Sequence, residues 1–293
     1  MRCIAALLAL FAGIAVGSDD LPRDTRPSPL AKPSAILAAL RENDSRALRI
    51  AITGKPAEEI AAAWEEHRAR LAKHEEPLAR MSSPEEPYWP ALLTNDGTRR
   101  LADEMSLRVP DLALELTAAA QEDPDGLADG IAAMLELPRD EGMRMQLLPA
   151  ALAVRGWLAR TAWTDRKRLE RALEVAANFV RRTGMQSPAE SDYLSYDEER
   201  AFLDGYLRTA KGMLLAYDFD VDALLASVRF EELWRRGDRA AVRWSAIVFG
   251  EPVVVTMELR WLDDCYWLCG GAKAGWAYAE DADDLEVERT RRR

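Results

Sequence analysis

The hydrophobic period of this chain changes once, near Asp218, and that change limits it to a helical body followed by a sheet. Before Asp218 the apolar residues recur at helical spacing. Ile36, Leu37 and Leu40 open a face that resumes at Leu48 and Ile52, and Ile60, Trp64 and Leu71 carry the pattern to about Lys73. After it the period falls to two. Val228 and Phe230 alternate with charged residues, and Val242, Trp244, Ala246 and Val248 fall on one strand face. Val253, Val255, Met257, Leu259 and Trp261 alternate with Val254, Thr256, Glu258 and Arg260. Turn signals at Arg236-Gly237-Asp238, Gly250-Glu251-Pro252 and Asp263-Asp264 divide the strands, the last running from Cys265 to Leu268. The expected class is α+β: a predominantly α-helical body with a C-terminal antiparallel β-meander of three to four strands. One face of that meander is apolar and needs cover from the preceding helices.

Within the body, helices are expected near 95–107, 111–121, 126–137, 141–162, 165–183 and 197–217. Pro110 and Pro138 read as breaks, Pro149 as a kink or break, and Gly184 as a C-terminal cap. Gly54-Lys55-Pro56 restarts a helix with Glu58 and Glu59 in its first turn. Ser83-Pro84-Glu85-Glu86, Ser187-Pro188-Ala189-Glu190 and Ser195-Tyr196-Asp197-Glu198 match the capping box.

The N-terminus reads as a secretory leader. Arg2 precedes an apolar run from Cys3 to Val16 that closes on Ala15-Val16-Gly17. A membrane-spanning helix needs about 20 apolar residues, so the run is short for a span. The expected organisation is a signal peptide at 1–17, a Pro-rich linker at 18–33, a helical domain at 34–217, the meander at 218–271 and a charged tail at 272–293. The expected location is exported, periplasmic or secreted, with no stable membrane insertion after cleavage.

The formal charge is −11, from 39 Lys and Arg against 50 Asp and Glu. Phosphate binding rests on concentrated Lys and Arg, so a chain this acidic excludes nucleic acid as a partner. Beyond Cys3 in the leader, the cysteines are Cys265 and Cys269. An oxidising compartment favours a bridge. Four residues of extended strand span about 13 Å, however, while a bridge needs Cα atoms within about 7 Å. A disulfide therefore requires a turn or bulge at Tyr266-Trp267-Leu268; two free thiols are the alternative.

The segments AYDFDVDALLASVRFEEL and GEPVVVTMELRW resemble the ends of uncharacterised exported bacterial proteins that have a helical body, a short helix and a closing meander. The resemblance covers the last quarter of the chain and implies no activity. Helices followed by a curved meander are also similar in outline to nuclear-transport-factor-2-like domains, a likeness of fold alone.

No catalytic constellation stands out. There is no G-x-S-x-G elbow and no phosphate-cradling glycine loop. His67 and His74 lie about 10 Å apart along one helix face, too far to share an ion, and read as solvated. Asp218-x-Asp220-x-Asp222 opens like a calcium loop, but Ala223 and Arg229 stand where glycine and glutamate are needed. Asp220 or Asp222 reads instead as a helix N-cap. No cofactor and no metal site is expected.

Five of the nine tryptophans fall within the last sixty residues. Trp244, Trp261, Trp267 and Trp276 are the candidate ligand-binding residues, because a Trp-lined pocket between sheet and helices would suit an apolar or ring-shaped ligand; core packing is the competing role. The expected function is that of a non-catalytic exported protein that binds a partner or belongs to the envelope. A small-ligand binding module and a carboxylate-dependent hydrolase of envelope polymers are the alternatives.

Overall fold

A computed structural model describes residues 28–72, 88–134, 137, 140–262, 265–269 and 278–279. The architecture is α+β, with a helical body and a C-terminal sheet. The helices are α1 (Ala31–Glu42), α2 (Ser45–Thr53), α3 (Ala57–Leu71), α4 (Trp89–Leu92), α5 (Asn95–Glu122), α6 (Pro124–Met134), α7 (Glu141–Arg160), α8 (Arg166–Thr183), α9 (Tyr196–Leu215) and α10 (Val221–Ser227). A 3-10 turn spans Pro188–Tyr193. Among the described residues, no helix is long and apolar enough to cross a membrane.

Side chains fix most of the helix starts. Asp44, Asp140, Asp165 and Asp220 each accept from a backbone N–H of the first turn they precede. Ser195 and Glu198 form the expected reciprocal capping box of α9. At Ser187 the expected box is replaced by the 3-10 turn, where the Glu190 carboxylate reaches back to the Gln186 N–H instead. The Ser83 motif lies outside the described residues. Gly184 ends α8 with φ of +70°.

Pro110 and Pro149 break nothing. Both lie inside continuous helices, α5 and α7. Proline in a helix interior costs about 3 kcal/mol. On α7 that cost is offset by packing on both sides of the proline, where Met143, Leu147, Ala150, Ala151 and Trp157 are all buried. α1 begins at Ala31, with Lys32 and Pro33 in its first turn, so helix starts inside the segment that composition marks as linker.

The sheet order is β1-β2-β3-β4-β5. β1 (Arg229–Arg236), β2 (Arg239–Val248), β3 (Glu251–Leu262) and β4 (Cys265–Cys269) form the antiparallel meander, and β5 (Tyr278–Ala279) adds a short parallel strand beyond β4. The β2–β3 register is regular from Arg239↔Arg260 to Val248↔Glu251. A bulge between Glu232 and Trp234 shifts the β1–β2 register.

Four packed clusters of described residues hold these elements, the smallest of them formed by Val242 and Leu259 on the sheet. α1, α2, α9 and α10 meet around Ile36, Leu40, Leu48 and Leu225 and touch β2 at Ala246. α4, α5 and α8 meet around Trp89, Leu101 and Leu173. α6 and α7 cover β3, with Leu147 and Ala151 against Val253 and Val255. α8 packs on α9 beside two glycines: a Cβ at Gly205 would lie 2.8 Å from the Phe179 ring, and one at Gly212 3.0 Å from Val175. Their missing side chains let the two helices close.

Candidate functional site

Of the candidate tryptophans, the described residues place the side chains of Trp244 and Trp261, and these two stand apart. Trp244 faces the helices opposite Val255 and Phe230, half-buried where the first and third clusters meet. Trp261 shares that face but stands six residues beyond Val255, about 20 Å along β3. Its backbone N–H donates to Asp238 O at 2.5 Å. Trp267 takes the register position opposite Arg260, which belongs to the other face. Trp276 lies outside the described residues. The bulge in β1 carries Trp234 to a position opposite Ala241, and its ring is exposed. Cys265 and Cys269 end β4; from Cys265 to Leu268 the strand pairs residue for residue with Leu262 to Leu259.

The acidic triplet disperses to three jobs. Asp218 accepts from Arg168 at 2.5 Å, Asp220 caps α10 through the Ala223 N–H at 2.8 Å, and Asp222 accepts from Lys211 at 2.6 Å. Lys211 is buried and also donates to Leu40 O at 2.7 Å, tying α9 to the end of α1. His67 sits on α3 with its ring 5.8 Å from that of Trp64. His74 lies outside the described residues.

An aromatic cluster that the sequence reading missed forms elsewhere. Trp157, at the end of α7, stacks on Phe249 with centroids 5.2 Å apart and planes 10° apart. Phe219 lies 5.5 Å from Trp157 and 4.8 Å from Phe249. Trp163 meets Trp157 edge-on at 5.3 Å and stacks on Tyr217 at 5.1 Å. Trp157 donates its ring N–H to Tyr217 O, and Trp163 to Leu158 O, both at 2.8 Å. Of the five, Trp157 is buried and the other four are half-buried. Two residues here, Asp218 and Phe249, hold left-handed backbone with φ of +62° and +50°. A ring at positive φ is costly, and such strain gathers at functional positions. Burial pushes the Tyr217 hydroxyl up, while Arg168 opposes the shift and Asp165 adds to it. The spacing of Trp157, Trp163, Tyr217, Phe219 and Phe249 carries no periodic signal, because they come from a helix end, two loops and a hairpin turn.

A second cluster is polar and buried. Arg49 of α2 pairs with Oε1 of Glu199 on α9, and its guanidinium lies 5.5 Å from the centre of the Trp64 ring. Glu199 is only 4% exposed. Its Oε2, the Tyr196 hydroxyl and Asn43 Oδ1 are buried with no hydrogen-bond partner among the described residues. Burial pushes the Glu199 carboxyl above its ordinary 4.5; Arg49 pulls it down, while Asp204 and Asp192 add to the rise.

The helical body also exposes large apolar side chains in pairs. On α5, Leu107 and Leu114 are 75% and 70% exposed, and on α7, Met145 is 63% exposed with Leu152 also exposed. Each pair is seven residues apart, two helical turns or about 10.5 Å. Each lies opposite its helix's buried side, which is Leu101 and Ala102 on α5 and Met143, Leu147 and Ala151 on α7.

No protein-family model, curated protein or solved structure matches this chain.

Proposed function

We propose that the protein is exported and acts without catalysis, binding a protein partner through its helical body. The observation that carries this is the pair of apolar stripes, Leu107 with Leu114 and Met145 with Leu152. Each helix already buries an apolar side, so a second apolar side on the same helix serves contacts outside the fold. Seven-residue spacing suits a partner helix that lays its own apolar stripe along α5 or α7. The leader-like N-terminus and the acidic charge fit an exported protein that avoids nucleic acid.

The test is capture from envelope extract by the chain from Ser18 onward, compared with the Leu114→Lys and Met145→Lys variants. A protein retained by the parent and lost from either variant supports the reading. Equal retention by all three, or no retained protein, overturns it.

The aromatic cluster favours a second reading, a small-ligand module. Half-buried Trp163, Tyr217 and Phe249 keep part of their ring surface open to a sugar or an aromatic compound. Thermal stabilisation by such a compound, abolished in Trp163→Ala, supports this reading; no shift across a panel of sugars and aromatics removes it.

A further inference from the structure

The α3 helix is attached by polar contacts rather than by a buried apolar face. It spans fifteen residues, yet Ile60 is its one buried residue. Trp64 donates its ring N–H to Leu194 O at 3.0 Å, and Glu65 Oε1 accepts from the Tyr196 N–H at 3.1 Å. The Arg49 guanidinium lies against the Trp64 ring. These contacts converge on the first turn of α9, where Tyr196 and Glu199 sit one turn apart. Arg49 touches both Trp64 and Glu199, so lifting α3 uncovers the ion pair.

Among the described residues, the closed junction is short of positive charge. Arg49 faces Glu199 from α2, while Asp192 on the 3-10 turn and Asp204 on α9 lie close enough to repel the same carboxylate. On α3, Glu65 is paired with Arg68, which also acts on Glu198. His67 lies beside Trp64. A carboxylate that is buried with, among the described residues, one counter-ion, two acids nearby and no hydrogen-bond partner for its second oxygen is costly to keep charged. The neutral acid removes most of that cost and turns one oxygen into a donor. A proton on Glu199 therefore favours the closed junction, whereas the charged form favours an open one in which water reaches it.

We propose that α3 is clamped on α9 by proton uptake at Glu199, so that the arm closes more tightly as the surroundings acidify and loosens as they become alkaline. The direction follows from linkage. In the open junction the carboxyl titrates near its ordinary 4.5, and burial in the closed junction raises it. Between the two values the opening constant rises by up to about tenfold per pH unit. Below both it is constant, with the junction closed. The clamp is independent of the partner-binding reading.

Hydrogen exchange tests it in the full chain. Protection of peptides from α3, corrected for intrinsic exchange, is compared at about pH 4.5 and about pH 8, with α8 peptides as the internal reference. The expected result is protection several-fold lower at the higher pH in α3 alone. Glu199→Gln, the isosteric mimic of the neutral acid, holds α3 protected at both pH values. Asp204→Asn moves the response to lower pH, and His67→Gln leaves it in place. Protection that does not change with pH in the parent chain overturns the proposal without reference to any variant. So does a full response that persists in Glu199→Gln, or one that vanishes in His67→Gln.

Discussion

The Trp157 ring lies flat on Phe249, joining the last turns of α7 to the β2–β3 hairpin. Phe249 and Gly250 both have positive φ, +50° and +89°, the pattern of a two-residue type I′ turn. Glycine suits its place there, whereas Phe249 sits where asparagine or glycine is preferred. The stack with Trp157 and the contact with Phe219 offset that strain. Phe249→Ala therefore loses the ring contacts while keeping the strained backbone, at about 1–3 kcal/mol. Phe249→Asn loses the same contacts but relieves part of the strain, so it should be the milder variant by up to about 1 kcal/mol. Urea unfolding checks the order. Equal losses, or a more stable alanine variant, would show that the turn carries no strain.

Two glycines give opposite expectations. Gly205 on α9 faces the Phe179 ring, and an added methyl would meet it at 2.8 Å. Overpacking there outweighs the gain in helix propensity, so Gly205→Ala should cost about 1–2 kcal/mol. Gly130 in α6 has nothing within 4 Å of an added Cβ among the described residues. Gly130→Ala should stabilise by about 0.5–1 kcal/mol through helix propensity and a less flexible unfolded chain. Thermal unfolding of the two variants side by side is the check, and a shift of the same sign in both refutes the packing account.

The α+β order was legible because the change of period at Asp218 reflects how the chain buries its apolar face, and no competing pattern overrides it. Helix starts were legible wherever a short polar side chain caps a first turn, as at Ser195 and Asp220. Pro110 ends no helix although its ring reads as a break, and on α7 the cost of Pro149 is smaller than the packing gained by continuing past it to Ala150, Ala151, Ala153 and Trp157. The aromatic cluster was hidden for a different reason. Trp157, Phe219 and Phe249 are brought together by the packing of α7 against β3, a relationship between segments about one hundred residues apart. The tryptophans of the sheet looked convergent because they crowd one stretch of sequence, yet six residues of strand separate Val255, opposite Trp244, from Trp261. Glu199 was invisible as a site, since nothing in the sequence marks one acid among fifty as buried.

Leu147 is fully buried and its side chain joins α7 to the sheet at Val253 and Val255. Truncation leaves a cavity between two rigid layers that cannot easily collapse. Leu147→Ala should cost about 2–5 kcal/mol, lowering the melting temperature by roughly 2–4 °C per kcal/mol for a domain of this size. Leu114→Ala, on the exposed side of α5, should change stability by less than about 0.5 kcal/mol. A large loss at Leu114 would mean that α5 packs on that side too.

Asp238 and Glu198 should dominate a part of the acid limb to which Glu199 contributes with the opposite sign. Burial pushes the Asp238 carboxyl up, but the Arg260 hydrogen bond at 2.8 Å, its own backbone N–H and the charges of Arg260 and Arg239 together bring it below its ordinary 3.8. Hydrogen bonds from the Ser195 side chain and backbone hold Glu198 below 4.5. Groups with a depressed folded value stabilise above their unfolded value, and that stability is lost as pH falls through the folded one. Asp238→Asn and Glu198→Gln should therefore each flatten the loss of stability below about pH 4.5. Glu199, raised by burial, contributes stability that is present below 4.5 and disappears as pH climbs through its folded value. Glu199→Gln should accordingly steepen the net acid loss and remove a decline on the neutral side. Denaturant midpoints measured across pH separate these effects, and an acid limb identical in all three variants would rule out the assignment.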